Sequence, residues 1–117
     1  MDFEIRQWII NLVTITYPGY PLNYLFDLIQ SIDDIIHETY QSIINLRKNG
    51  YDQINWFDNH DMITNYIMNI LDKTLSGYLD THTRNAIMAT EQGTQIFKFI
   101  NNLMLWLFQQ AGIKVIY

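Results

Sequence analysis

The chain contains no cysteine, only two prolines and only five glycines in 117 residues. Without cysteine it has no disulfide framework, no thiolate zinc site and no cysteine nucleophile. Basic residues are also scarce, since seven lysines and arginines stand against twelve acidic residues, for a formal net charge of −5. Binding to a phosphate backbone depends on Lys and Arg, so this balance argues against a nucleic-acid partner. Charged residues make up only 16% of the chain, which also disfavours mimicry of nucleic acid by an acidic surface.

Long hydrophobic runs are missing as well. The most apolar stretch, residues 96–108, is interrupted by Lys98, Asn101 and Asn102. It falls short of the roughly 20 apolar residues that span a bilayer. The start of the sequence is acidic and lacks the basic and apolar regions of an export signal. These absences predict a soluble cytoplasmic protein with no membrane association.

Hydrophobic residues make up 49% of the chain and aromatic residues 15%. This balance predicts a single globular helical domain over residues 1–117. So many aromatic side chains are hard to hide inside a small domain, which favours a partner, most simply a second copy of the chain. The abundance of Ile, Asn and Tyr suggests an AT-rich genome and a viral or phage origin.

Hydrophobic periodicity predicts two helices in the first half of the chain. The first covers Asp2 to Thr16 and ends at the turn Tyr17-Pro18-Gly19-Tyr20-Pro21. The second begins at Leu22 and ends before Asn49-Gly50, which suits a left-handed helix stop. Its apolar positions alternate in steps of three and four without a break: Leu22, Leu25, Ile29, Ile32, Ile36, Thr39, Ile43 and Leu46.

Two more helices are predicted in the second half. The third follows Asp58 as N-cap and ends near Ser76-Gly77. The fourth is predicted as one continuous helix with small residues at its start and large apolar residues at its end: Ala86, Ala89, Gly93, Ile96, Ile100, Leu103 and Leu107. We expect Gly93 to mark a kink or a close crossing. Residues 113–117 favour extended structure and predict a tail that docks on the helices.

One cluster has the spacing of a metal site. Asp34 and His37 lie three residues apart, and a carboxylate and an imidazole at this spacing share a helix face, as in di-iron bundles. The register of the second helix, however, directs both away from its apolar stripe, so a solvated polar face is the preferred interpretation. His60 and His82 lie among turns and caps, where we expect each ring to make a local hydrogen bond or simply to face water. Because no nucleophile, phosphate-binding loop or ligand set is identified, we predict no catalytic residue, no metal and no cofactor.

The sequence therefore predicts an all-α, four-helix bundle-like domain with a buried, mostly apolar fourth helix. The predicted function is a noncatalytic protein-protein interaction module or inhibitor, acting as a homodimer that buries the face from Ile96 to Phe108. The candidate contact residues are Trp56, Phe57, Phe97, Phe99, Trp106 and Phe108.

Two alternatives stay open. An apolar central helix wrapped by amphipathic ones is similar in arrangement to the helical apoptosis regulators that viruses borrow. This suggests a viral regulator of apoptosis or innate immunity that binds a partner helix in a groove. Their Asn-Trp-Gly-Arg signature is missing, and Asn55-Trp56-Phe57-Asp58 matches it only in its first two residues. The other alternative is a small metal-dependent helical enzyme that uses His37.

Overall fold

The computed structural model describes residues 2–117; Met1, the first residue of the predicted domain, lies outside that part of the chain. Over these residues the chain forms five α-helices and two short strands. In chain order they are α1 Asp2–Thr16, α2 Phe26–Lys48, β1 Gln53–Asn55, α3 His60–Leu75, α4 Thr81–Met88, α5 Glu91–Gln110 and β2 Lys114–Ile116. The predicted all-α class is confirmed.

The first helix has its predicted bounds, but the second begins four residues later than predicted. Between Pro21 and Phe26 the backbone forms turns with hydrogen bonds between residues i and i+3. The N–H of Tyr24, for example, donates to the carbonyl of Pro21 at 3.1 Å. Leu22 therefore lies outside α2. From Ile29 to Ile43 the predicted stripe is buried as expected. The helix ends at Lys48, and Gly50 supplies the left-handed stop with φ 95°.

The predicted N-cap of the third helix is wrong by one residue. Asn59, not Asp58, precedes the first turn of α3, and it makes no side-chain capping hydrogen bond. The side chain of Asn55 organises this segment instead, because its Oδ1 accepts from the N–H groups of Phe57 at 2.9 Å and Asp58 at 3.1 Å. This local turn leaves Asp58 exposed and starts the helix later.

The segment predicted as the fourth helix is divided into α4 and α5. Thr90 adopts an extended conformation between them and caps α5, its hydroxyl accepting from the N–H of Gly93 at 3.4 Å. A threonine hydroxyl competes well for helix N-terminal amides, so a new helix starts where the hydrophobic pattern continues unbroken. Asp80 caps α4 by accepting from the N–H of His82 at 3.0 Å.

Gly93 marks a close crossing, as predicted. A Cβ atom at this position would lie 2.5 Å from the Cα of Met88 and 2.6 Å from the carbonyl oxygen of Ile87. These are backbone atoms at the end of α4, so no side chain can turn aside to make room. Glycine is therefore the residue that permits the sharp passage from α4 into α5.

The core is built around α5, which contacts each of the other four helices. Its buried side comprises Gly93, Ile96, Ile100, Leu103, Met104, Leu107 and Phe108. This face, predicted as the dimer interface, is covered by the chain's own helices. The predicted burial is thus confirmed for α5, and it occurs within one chain; α4, the first part of the predicted helix, has no buried residue.

The tail after α5 docks as an extended segment, as predicted. β2 pairs in parallel with β1, with Gln53 opposite Lys114, Ile54 opposite Val115 and Asn55 opposite Ile116. Ile54 and Ile113 are buried in the core below this two-stranded sheet. The sheet therefore closes one end of the helical domain.

Candidate functional site

The six aromatic residues predicted as contacts do not form one surface. Phe57, at 70%, and Phe97, at 44%, are exposed, whereas Phe108 is fully buried in the core. Phe108 therefore cannot contribute to an exposed contact surface. It belongs to the same core cluster as Met104, Leu107 and, after α5, Ile113. The remaining three are half-buried: Trp56, Phe99 and Trp106.

Two of the half-buried rings have aromatic partners in separate regions. Phe99 lies against Trp8 of α1 with a centroid distance of 4.7 Å. Trp56 stacks on Tyr117 at 5.8 Å, beside the two-stranded sheet. These contacts place the rings of Phe99 and Trp56 between secondary-structure elements. Most of the surface area of each ring is therefore used in packing within the chain.

The possible metal pair is not assembled as a ligand set. The carboxylate of Asp34 accepts from Gln30 at 3.0 Å on the exposed side of α2. His37 interacts with Asp33 instead, its Nδ1 lying 2.9 Å from the Asp33 carbonyl oxygen and 3.4 Å from its carboxylate. Within residues 2–117, no group of three or more His, Asp or Glu side chains comes close enough to hold a metal ion.

The other two histidines lie at helix starts, as predicted. The ring of His60 is exposed and lies 3.8 Å from the carboxylate of Asp61. His82 is exposed at the start of α4, where its backbone N–H is held by Asp80. Both positions fit the local roles expected from the sequence.

Several large apolar side chains are exposed in the α1–α2 segment and in the neighbouring α3–α4 turn. We call this group the tyrosine–leucine patch. Its members and their exposed fractions are Tyr20 52%, Leu22 46%, Tyr24 76%, Phe26 57% and Leu79 97%. Contiguous apolar area of this kind on a small domain is characteristic of interaction sites.

A cleft of about 340 Å³ lies between the α1–α2 turn and the α3–α4 turn, and Tyr20, Tyr24 and Leu79 of the patch are among its lining residues. Tyrosine rings form much of its wall. Tyr17 stacks on Tyr78 at 4.4 Å, and Tyr20 meets Tyr17 edge to face at 5.9 Å. Tyr24 continues the series, 6.4 Å from Tyr20. Asp27 is the acidic residue of the lining.

The floor of this cleft is held by hydrogen bonds. The hydroxyl of Tyr17 donates to the carbonyl of Thr74 at 2.8 Å, and the hydroxyl of Tyr78 donates to the carbonyl of Thr16. Gly77 allows the close approach, since a Cβ there would lie 2.5 Å from the Tyr17 hydroxyl oxygen. Two turns of the chain are thereby joined around a pair of tyrosines.

The rim differs from the floor. Tyr20 and Tyr24 are exposed, and within the described part of the chain their hydroxyl groups have no hydrogen-bond partner. Tyrosines of this kind combine apolar contact area with a free donor, and they lose little conformational entropy when bound. The cleft thus has a rigid base and a rim suited to contact with another molecule.

Burial raises the pKa of Tyr17 to about 12, although a backbone hydrogen bond from Gly77 lowers it in part. Burial likewise raises the pKa of Tyr78. Both hydroxyls therefore stay protonated at neutral pH and act as hydrogen-bond donors, not as bases.

The raised pKa of Tyr17 predicts a loss of stability in alkali. An unfolded tyrosine titrates near pH 10 and the folded Tyr17 near 12, so the unfolded chain releases this proton first. The stabilisation is complete below pH 10 and is lost as the pH rises to about 12. We expect a decrease of about 2–3 kcal/mol in the free energy of unfolding, measured by urea denaturation at each pH. An equally steep decrease in Tyr17→Phe would contradict this assignment.

A second cleft, of about 280 Å³, lies between α1 and the start of α2. Leu22 and Phe26 line it together with Ile10 and Ile29. Arg6 also lines it, and the Nη1 atom of Arg6 is buried without a hydrogen-bond partner among residues 2–117. The two clefts share no lining residue.

Sequence reasoning places Leu22 in the apolar stripe of the second helix and does not single out Tyr20, Tyr24 or Leu79. A signal for the patch was nevertheless present, because the turn between α1 and α2 carries tyrosines beside its prolines. Turns lie at the surface, which predicts exposure for part of these rings; Tyr20 is exposed, whereas Tyr17 is buried.

Comparisons with protein-family models, curated proteins and solved structures find no match to this chain. None of the described helices is both long and apolar enough to cross a membrane.

Proposed function

We propose that this protein is a noncatalytic protein-protein interaction module and that the tyrosine–leucine patch is its partner-binding surface. One observation carries the proposal: five large apolar side chains are exposed together around two clefts. Interfaces are enriched in aromatic residues at their centre, with polar groups at the rim. The patch has this composition, with tyrosine hydroxyls and Asp27 beside apolar rings.

The chemistry of the clefts supports binding in preference to catalysis. The titratable groups of the larger cleft are four tyrosines and Asp27. The buried tyrosines keep their protons at neutral pH, and no histidine or lysine lines the cleft to exchange protons with them. The rings can recognise an apolar or planar group of a partner, while Asp27 can accept hydrogen bonds from a basic one.

The alternative of a partner helix in a groove has less support. A helix that binds by side chains at successive turns needs a continuous groove. The clefts are about 340 and 280 Å³ and share no lining residue. Two separate clefts favour a partner that inserts one or two side chains into each of them.

The test is affinity capture from cell extract with the double variant Tyr24→Ser/Leu79→Ser. Both side chains are exposed, so we expect the free energy of unfolding to change by less than about 1 kcal/mol. A tyrosine at the centre of an interface contributes about 2 kcal/mol or more, so the affinity for a captured protein should fall at least about 30-fold.

Phe57→Ser is the matched control. Phe57 is 70% exposed but precedes α3, whereas the patch adjoins the far end of that helix. We expect this variant to retain the partner, and isothermal titration with the purified partner gives the affinities. Unchanged affinity in the double variant would refute the proposal that the patch binds the partner. Loss of affinity in Phe57→Ser alone would favour the surface predicted from the sequence.

A further inference from the structure

The outer edge of β2 has unused backbone hydrogen-bonding groups. The N–H of Lys114 donates to the carbonyl of Asp52 at 3.0 Å, and the N–H of Trp56 donates to the carbonyl of Ile116 at 2.7 Å. In a parallel ladder alternate residues face the partner strand, so Lys114 and Ile116 are directed toward β1. The N–H and C=O of Val115 therefore point away from β1, and within residues 2–117 neither has a partner.

The outer edge of β1 is partly covered. The carbonyl of Asn55 accepts from the backbone N–H of Asn59 at 3.1 Å and from its side-chain amide at 2.8 Å. The start of α3 thus shields that edge. The edge of β2 has no such cover and is the open side of the sheet.

A cleft of about 490 Å³ runs beside this open edge. Val115 and Tyr117 line it on the strand side, and Leu105 and Gln109 line it on the side of α5. The cleft gives an extended segment room to lie along β2. Tyr117 is 68% exposed and Leu105 is half-buried, so a docked segment would also cover apolar area.

We propose that the open edge pairs with β2 of a second copy of this chain, antiparallel, with the two-fold axis at Val115. The free donor and the free acceptor belong to the same residue. In a second copy related by the two-fold axis, the N–H of Val115 faces the C=O of Val115 in the first copy, and its C=O faces the N–H. The pairing therefore forms two equivalent hydrogen bonds. The result is a continuous four-stranded sheet in which each chain keeps its own β1–β2 pair.

The charge distribution favours this contact between two acidic chains. The protein has a formal net charge of −5, so most of its surface repels a second copy. The residues lining the cleft beside β2 include Lys114 and no acidic residue. No acidic side chain of this cleft therefore opposes pairing at the β2 edge. The buried side of α5, from Ile96 to Phe108, is already covered within the chain, so those side chains are not available for this role.

The first test uses a single introduced cysteine. The chain has none of its own, so any disulfide in Val115→Cys must join two copies. In a hydrogen-bonded antiparallel pair, opposite Cα atoms are about 5.5 Å apart, which suits a disulfide. We expect covalent dimer on a non-reducing gel after equilibration in glutathione buffer.

Lys114→Cys controls for the register. In the proposed pairing Lys114 lies opposite Ile116 of the second copy. Two cysteines at position 114 are therefore offset by two residues along the strands. The distance between their Cα atoms then exceeds the limit of roughly 7 Å for a disulfide. We expect at least tenfold less dimer than in Val115→Cys. Equal cross-linking of the two variants would indicate random collision and overturn the proposal. Cross-linking of Phe97→Cys in place of Val115→Cys would assign the contact to α5.

Sedimentation of the unmodified chain is the second test. We expect a concentration-dependent dimer in the wild-type chain and at least tenfold weaker association in Val115→Pro. Proline removes the outward N–H but none that bonds to β1, so the strand pair is retained, which circular dichroism can check. A wild-type chain that stays monomeric up to about 1 mM would overturn the proposal. Because this edge lies apart from the tyrosine–leucine patch, Tyr24→Ser/Leu79→Ser should dimerise normally.

Discussion

Phe108→Ala is expected to lower the free energy of unfolding by about 3–5 kcal/mol. The ring is fully buried in the main cluster beside Leu107 and Ile113. Its removal loses apolar burial and leaves a cavity, which the helices around α5 can close only in part. A domain of this size has a total stability of about 5–15 kcal/mol, so the variant is expected to lose a large fraction of its stability. Urea denaturation followed by circular dichroism measures the change.

Phe97→Ala supplies the matched control on the same helix. This ring is 44% exposed, so the expected decrease in the free energy of unfolding is less than about 1.5 kcal/mol. A loss in Phe97→Ala as large as that in Phe108→Ala would contradict the arrangement of α5, because it would place the Phe97 ring in a packed environment.

Gly93→Ala is expected to lower the free energy of unfolding by about 2 kcal/mol. Alanine would gain roughly 1 kcal/mol in helix propensity at this position. The new Cβ, however, would lie 2.5–2.6 Å from backbone atoms of Ile87 and Met88. Relief requires a shift of the α4–α5 passage, and because the clashing atoms belong to the backbone we expect a cost of about 3 kcal/mol, the upper end of the usual range for forced shifts. The clash is expected to outweigh the propensity.

Thr94→Ala separates these two effects. Thr94 is the next residue of α5 and is exposed, so the substitution changes helix propensity without a clash. We expect its stability to stay within about 0.5 kcal/mol of the wild-type chain. If Gly93→Ala proved more stable than the wild-type chain, the close approach of α4 and α5 would be refuted.

The sequence predicts the fold well where the hydrophobic pattern and a strong turn signal agree. The bounds of α1 and the end of α2 at Lys48, before Asn49-Gly50, are such cases. The prediction fails where a polar side chain takes over local hydrogen bonding inside an apolar pattern. Thr90 starts a new helix in a continuous stripe, and Asn55 organises the turn before α3. Hydrophobic periodicity shows only which side of a helix is apolar. It does not detect the local side-chain hydrogen bonds that end or start a helix.

The surfaces were harder to predict because residue type does not determine exposure. Phe97 and Phe108 lie about three helical turns apart, on nearly the same face of α5. Phe108 is nonetheless buried and Phe97 exposed. The chain turns back at the end of α5 that carries Phe108, with the N–H of Ile113 donating to the carbonyl of Phe108 at 2.9 Å. Met104 lies on the same face between the two rings and is also fully buried, so burial depends on position along α5, which helical periodicity does not record.

The same tail has a consequence for the order of folding. The pairing of Ile54 with Val115 closes a loop that contains three whole helices, and the entropy of such a loop opposes early contact between its ends. The strands are therefore expected to meet only after α3, α4 and α5 have packed. A nascent or partly folded chain then has no formed β2 edge to offer its neighbours. Only fully folded chains could then associate through the β2 edge. This association would differ from aggregation during folding, in which partly folded chains pair through exposed strands.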